Sequence, residues 1–223
     1  MFSIIPNDAH IHCRLIYYDI LTLFTMWFLW ICFSFAWSFY DSVVNPTNWS
    51  NFTSWCWILQ AIFLAVFLLD RPEFPFFHNI YFLNCFFLPF LFACEYSVIM
   101  LVVYMTIDGA ELFENQIDIH GIIVVGMANF TLHVLNLMIL LLYMLLYQKT
   151  ILEKISCYKE IFNSLYTNLL YLQLNIFIYT YISVFSPGAH YGVKNISEIG
   201  VDVIFLISAN LGLTSFFWWS KVF

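Results

Sequence analysis

The chain has 223 residues, of which 63% are hydrophobic and only 9% are charged. A soluble domain is about 45–50% apolar and about 25% charged, so this composition argues against both a soluble globular protein and a disordered one. Seven basic residues against fourteen acidic ones give a formal charge of −7, which argues against nucleic acid as a partner. The composition favours a polytopic membrane protein folded as one domain, residues 1–223.

Six apolar runs are each long enough to cross a hydrocarbon layer of about 30 Å as a helix. Backbone polar groups find no water inside a bilayer, so runs of this length predict α-helices. The expected fold is all-α, a polytopic bundle of six transmembrane helices. The predicted spans, numbered one to six, cover about 15–39, 52–69, 81–106, 122–147, 164–185 and 201–219.

The basic residues predict the orientation of this bundle. If the chain threads alternately, six of the seven fall on one side, and only Lys194 falls on the other. Basic residues mark the cytoplasmic side of a membrane, so both termini are expected there. The opposite side carries the acidic loop 108–118, which has no Lys or Arg.

The predicted loop after span four, Gln148–Phe162, has an amphipathic pattern. Ile151, Ile155 and Tyr158 recur at helical spacing, with lysines at other positions. This pattern predicts either a helix lying on the inner membrane surface or a cytoplasmic extension of span four.

Two ionisable residues fall inside the predicted spans. Glu95 lies about eleven residues from the outer end of span three, and His133 about eleven from the outer end of span four. Their similar depth allows them to pair if the helices are neighbours. An ionisable group in hydrocarbon is costly and therefore suggests function. The structural alternatives are a neutral Glu95 bonded to a carbonyl and an imidazole that joins helices by a hydrogen bond.

No cofactor and no metal are expected. Haem ligation at His133 would need a second histidine at mid-membrane, and a zinc site would need Cys or His partners at suitable spacing. The other five histidines lie in predicted loops or ends: His10, His12, His78, His120 and His190.

Two segments resemble the androgen-induced membrane protein family. Residues 49–63 contain Trp49, then Thr53 four residues on, then Gln60-Ala61 and an aromatic residue. Residues 129–136, which include His133, resemble the family's mid-span histidine segment. The resemblance covers about thirty residues well. It implies six spans, cytoplasmic termini and an intramembrane hydrolase of fatty acid esters of hydroxy fatty acids, with Thr53 and His133 as the essential pair.

A second resemblance competes with the first. Thr47-Asn48-Trp49 and the spacing of His133 and Asn136 are similar to the rolling stone family, multi-span proteins linked to myoblast fusion. This resemblance implies no catalysis.

Acyl transfer assigns a role to each candidate residue. A threonine hydroxyl needs a base within hydrogen-bond reach, so Thr53 would be the nucleophile and His133 the base. Glu95 could orient the base, and Asn129 or Asn136 could donate to the oxyanion. If span two begins at Phe52, however, His133 lies about 16 Å deeper than Thr53.

Three functions therefore remain open at this point. They are a hydrolase of lipid esters drawn from the bilayer, a non-catalytic membrane protein of rolling-stone type, and a small proton- or ion-coupled transporter that uses Glu95 and His133. The expected location is the endomembrane system (the endoplasmic reticulum) or the plasma membrane. Nothing in the sequence predicts the oligomeric state.

Overall fold

The computed structural model describes residues 24–29, 32, 51–69, 81–107, 134–162, 165–185 and 198–222. This part of the chain contains helices and no strand, which confirms the predicted all-α class for the described residues. Residues 24–29 form a short helical segment. The longer helices are α1 (Phe52–Leu69), α2 (Tyr81–Ile107), α3 (Leu135–Leu146), α4 (Gln148–Phe162), α5 (Leu165–Phe185) and α6 (Glu198–Val222).

Three of these helices contain stretches long and apolar enough to cross a membrane: Phe86–Tyr104 in α2, Leu165–Phe185 in α5 and Glu198–Val222 in α6. A fourth span results if α3 and Ile151–Glu160 of α4 are counted as one bent span. Helix α1 is apolar but shorter. The number of six spans and the sides of the termini therefore stay predictions, and most of the predicted span one lies outside the described residues.

Contacts between side chains define the relative directions of α2, α5 and α6. The Phe92 ring of α2 lies 5.9 Å from Phe216 near the end of α6. Tyr181 near the end of α5 lies 5.8 Å from Phe205, and Tyr166 near its beginning lies 6.3 Å from Phe217. Helices α5 and α6 are therefore antiparallel.

Helix α1 runs antiparallel to α2 and parallel to α3. Early in α1, Cys56 lies near Glu95 in the middle of α2, whereas the later Phe63 ring lies 6.5 Å from Phe87 near the beginning of α2. Gln60 contacts the start of α3, and Phe67 stacks edge-on against Tyr143 further along it at 5.1 Å. These two contacts join residues 76 positions apart, and Tyr143 also contacts Phe63, 80 positions before it, at 4.9 Å.

Helix α5 has apolar side chains on its packed face and an apolar stripe on its exposed face. The buried side chains recur every three or four residues: Tyr166, Leu170, Leu174, Ile178 and Tyr181. The exposed stripe has a similar spacing: Leu165, Leu169, Leu172, Ile176 and Tyr179. Such an exposed stripe would be costly in water and is typical of a helix in contact with lipid.

Helices α2 and α6 approach closely because α6 has a glycine at the contact. A Cβ atom added to Gly212 would lie 2.9 Å from the Cβ of Tyr96 and 3.0 Å from the Cα of Ala93. Small residues at such positions let membrane helices gain van der Waals contact, which replaces the missing hydrophobic driving force between them.

Helix α4 turns across one end of the bundle. The axis of Ile151–Glu160 is bent by 80° from that of α3. Ile151 and Ile155 are buried, whereas Glu153 and Cys157 are exposed. This geometry agrees with the surface-helix prediction and not with a straight extension of the preceding helix.

Candidate functional site: a buried polar cluster

Glu95 lies at the centre of the apolar stretch of α2. Nine residues of Phe86–Tyr104 precede it and nine follow. Its side chain is 1% exposed, and its Oε1 atom has no hydrogen-bond partner within the described part of the chain. An ionised acid at the centre of a spanning helix costs about 2.5–3.5 kcal/mol on insertion scales, so Glu95 needs a physical or functional explanation.

Gln60 of α1 and Asn136 of α3 meet at a single hydrogen bond. Both side chains are 1% exposed. The Nε2 atom of Gln60 donates to the backbone oxygen of Asn136 at 3.1 Å. Because that oxygen can only accept, the bond determines the orientation of the Gln60 amide. The Oε1 atom of Gln60 then accepts no hydrogen bond from any described residue.

Two thiols connect Glu95 to the polar face of α1. Cys56 and Cys94 are fully buried, and both lie close enough to Glu95 for electrostatic interaction. Cys56 precedes Gln60 by four residues, so the two share one face of α1. We call Cys56, Gln60, Cys94, Glu95 and Asn136 the polar cluster. Helices α1, α2 and α3 contain no Lys, Arg or His within their bounds.

Thr53 lies in the first turn of α1, at the edge of the polar cluster. Its side chain is half-buried. It precedes Cys56 by three residues and Gln60 by seven, so it shares their face about 10 Å from Gln60 along the helix axis. The neighbouring Phe52 ring anchors this turn against Phe205 at 4.5 Å, where α6 begins.

The other two predicted site residues, His133 and Asn129, lie outside the described residues. The structure thus brings Glu95 beside the thiols and joins Asn136 to Gln60, with Thr53 one turn from Cys56. It does not describe the predicted pair of Thr53 and His133. No group of three or more His, Cys, Asp or Glu side chains suited to a metal occurs among the described residues.

A second polar contact, between α5 and α6, was not predicted. The Nδ2 atom of Asn175 donates to Oδ1 of Asn210 at 3.1 Å, and the Nδ2 atom of Asn210 donates to Oδ1 of Asn175 at 2.8 Å. One turn away, the hydroxyls of Tyr171 and Thr214 are 2.8 Å apart. The sequence feature that could have indicated this contact is an amide side chain within each of two apolar runs. Mainly ionisable side chains served as indicators of function inside the spans.

An apolar groove of about 730 Å³ follows one side of α5. Its lining includes Phe86 of α2, Leu172 and Phe177 of α5, and the polar Gln173. Phe177 also contacts the first turns of α1, at 6.1 Å from Phe52 and 6.2 Å from Trp55. One lining residue of the groove therefore contacts the helix turn that carries Thr53.

No family model, no curated protein and no solved structure matches the chain.

Proposed function

We propose that the chain is an integral membrane protein of six transmembrane helices with cytoplasmic termini, and that it hydrolyses lipid esters within the bilayer. The directions of the described helices support this topology. Contacts make α1, α3 and α6 run one way and α2 and α5 the other, as alternate threading requires. The chemistry is that of the androgen-induced membrane proteins, which residues 49–63 and 129–136 resemble.

The observation that carries the proposal is the parallel register of α1 and α3. Gln60 with Asn136 and Phe67 with Tyr143 differ by 76 positions, and Phe63 with Tyr143 by 80, so the two helices advance together. We infer that a parallel register of this kind extends toward the start of the predicted span four, which lies outside the described residues. A helical span four in the register of the Gln60 bond would bring His133 level with Trp57 and Asn129 level with Thr53.

This register reduces the difference in depth that the predicted span boundaries gave. A separation of four residues between the levels of Thr53 and His133 corresponds to about 6 Å, in place of about 16 Å. Side chains of an α-helix point toward its N-terminus, so in a helical span four the side chain of His133 would extend toward the level of Thr53. A hydrogen bond between the Thr53 hydroxyl and His133 would then be within side-chain reach.

Each residue has one role in the proposed reaction. His133 accepts the proton of Thr53 as the hydroxyl attacks the ester carbonyl, and gives it to the departing alkoxide, which leaves the acyl group on Thr53. A water molecule deprotonated by His133 then attacks this acyl-threonine, and the fatty acid leaves as the proton returns to the Thr53 oxygen. The amide of Asn129, or of Asn136, donates to the oxyanion. Glu95 acts at most on the orientation of His133. The expected substrate is a long-chain ester from the bilayer, and the groove along α5 offers a surface for its acyl chain.

Labelling by a fluorophosphonate probe tests this function on the purified protein in detergent. Wild type is compared with Thr53→Ala and His133→Ala. The matched control is Thr214→Ala, since Thr214 is exposed, is not among the residues that line the groove, and donates to its own helix at Asn210. We expect labelling of wild type and control, and none of the two site variants.

Equal labelling of Thr53→Ala would remove Thr53 as nucleophile. If wild type resists every such probe and releases no fatty acid from a hydroxy fatty acid ester, the protein is not a hydrolase. The non-catalytic rolling-stone function would then be the better explanation.

A further inference from the structure

Two buried oxygen atoms of the polar cluster receive no hydrogen bond from the described residues. The Nε2 atom of Gln60 is already engaged with the carbonyl of Asn136. The Oε1 atoms of Gln60 and Glu95 both accept nothing in the described part of the chain, although both side chains are 1% exposed. An ionised carboxylate and an amide oxygen cannot satisfy each other, because neither brings a hydrogen.

One proton on Glu95 corrects this deficit. A neutral carboxyl group has an O–H donor, and an unpartnered acceptor one helix away can receive it. We propose that Glu95 is an exchangeable proton-binding site at the middle of the bundle, with the amide oxygen of Gln60 as the acceptor for the bound proton. The equilibrium is the simple one between carboxylate plus proton and carboxylic acid.

The surroundings favour a proton over a metal or another cation as the bound species. Among the described residues, the thiols of Cys56 on α1 and Cys94 on α2 lie close enough to Glu95 to be affected by its charge. Helix α3 adds Tyr143, and α5 adds only tyrosines. The charged groups of the two remaining helices lie along α4, at one end of the bundle, or near the ends of α6: Lys149, Glu153, Lys154, Lys159, Glu160, Glu198, Asp202 and Lys221. No described cation faces the carboxyl group, and an unpaired buried charge is avoided by taking up a proton.

This site does not depend on hydrolysis by Thr53. Infrared spectroscopy tests it on the full chain, with glutamate carboxyls labelled with carbon-13 and a detergent without ester groups. Exposed glutamates are ionised at pH 7, since their ordinary pKa is about 4.3. We expect one protonated glutamic acid band in wild type at pH 7, and a shift of that band in D₂O.

Three variants assign the band. It should vanish in Glu95→Gln, remain in the matched control Glu198→Gln, and move to higher frequency in Gln60→Leu because the hydrogen bond is lost. Absence of the band from folded wild type overturns the proposal without any variant. If the frequency of the band does not shift in D₂O, the proton does not exchange and that part of the proposal is wrong. If the band has the same frequency in Gln60→Leu as in wild type, Gln60 is not the acceptor.

Discussion

Two polar contacts inside the bundle differ in one respect, the balance of hydrogen-bond donors and acceptors. Between α5 and α6, the amide oxygen of Asn175 and that of Asn210 each receive a hydrogen bond from the other residue. The Oε1 atoms of Gln60 on α1 and Glu95 on α2 receive none from the described residues, although both side chains are more deeply buried than the two asparagines. A balanced pair serves as a helix-joining contact. The unpartnered acceptors of the polar cluster are the basis for proposing that a proton binds there.

The largest difference between the two contacts should appear when charge is forced on the polar cluster. We expect Glu95→Lys to lower the free energy of unfolding by about 3 kcal/mol or more, because a cation at the span centre has no described acid to pair with. Glu95→Gln keeps the size and mimics the neutral acid, so it should stay within about 0.5 kcal/mol of wild type. Unfolding by steric trapping or by denaturing detergent measures both variants. A Glu95→Gln variant as unstable as Glu95→Lys would contradict a neutral Glu95.

The next largest effect tests whether close packing or the asparagine pair holds α6 in place. A valine at position 212 would push against Tyr96 and the backbone of Ala93, so we expect Gly212→Val to cost about 1–3 kcal/mol. The neighbouring Leu211 is 48% exposed and serves as the control, with Leu211→Val near zero. If Gly212→Val and Leu211→Val have the same free energy of unfolding, the approach of α2 and α6 is not tight. The asparagine pair would then contribute more to holding α6 in place.

A double-mutant cycle on the balanced contact should show a smaller effect. Asn175→Leu leaves the Oδ1 atom of Asn210 without its donor, so we expect each single variant to cost about 1 kcal/mol. The double variant removes both amides and should cost less than the sum of the two. Coupling in membrane helices averages about 0.6 kcal/mol, and the same unfolding assay detects it. Strictly additive losses would mean that the two amides do not cooperate.

The smallest effect concerns a charge at the end of the bundle, where solvent can relieve it. Burial, and then the charge of Lys221, lowers the pKa of Lys159, whose ammonium lies 5.7 Å from the centre of the Phe217 ring. Just below the ordinary lysine value of about 10.4, the unfolded chain therefore holds more protons than the folded one. The free energy of unfolding should rise with pH through that window.

Solvent screening keeps this rise small, at about 0.5 kcal/mol or less. Lys221→Gln should reduce it, as unfolding midpoints measured between pH 8 and pH 10.5 would show. A stability that falls over this range in wild type, or a slope that Lys221→Gln leaves intact, would contradict the assignment.

Sequence reasoning reached the fold class and the position of Glu95 because both depend on local pattern. Long apolar runs predict helices, and one acid in such a run can be counted from either end. Thr53 became a candidate through the family resemblance and Asn136 through its spacing from His133, but the partners of both depend on how the helices are aligned.

Partners between helices could not be predicted, since alignment is a property of packing. Gln60 was grouped with other polar residues of span two, and only the structure shows its bond to the carbonyl of Asn136. Asn175 and Asn210 lie 35 residues apart on helices that both look uniformly apolar. A rule that flags every amide in an apolar run would have found both residues, though not their pairing.

The aromatic rows of α1 and α3 repeat at the same interval. Phe63 and Phe67 are one turn apart, as are Tyr143 and Tyr147. Tyr143 contacts both phenylalanines at 4.9 and 5.1 Å, and Phe67 also contacts Tyr147 at 5.2 Å. Sliding one helix by a turn would exchange one ring for another of the same kind, so the rings alone leave two alignments nearly degenerate. The bond from the Nε2 atom of Gln60 to the backbone oxygen of Asn136 belongs to only one of these alignments. After a slide of one turn, Gln60 would face the backbone oxygen of Leu140, an acceptor of the same kind. The bond therefore reports which of two similar alignments the helices adopt.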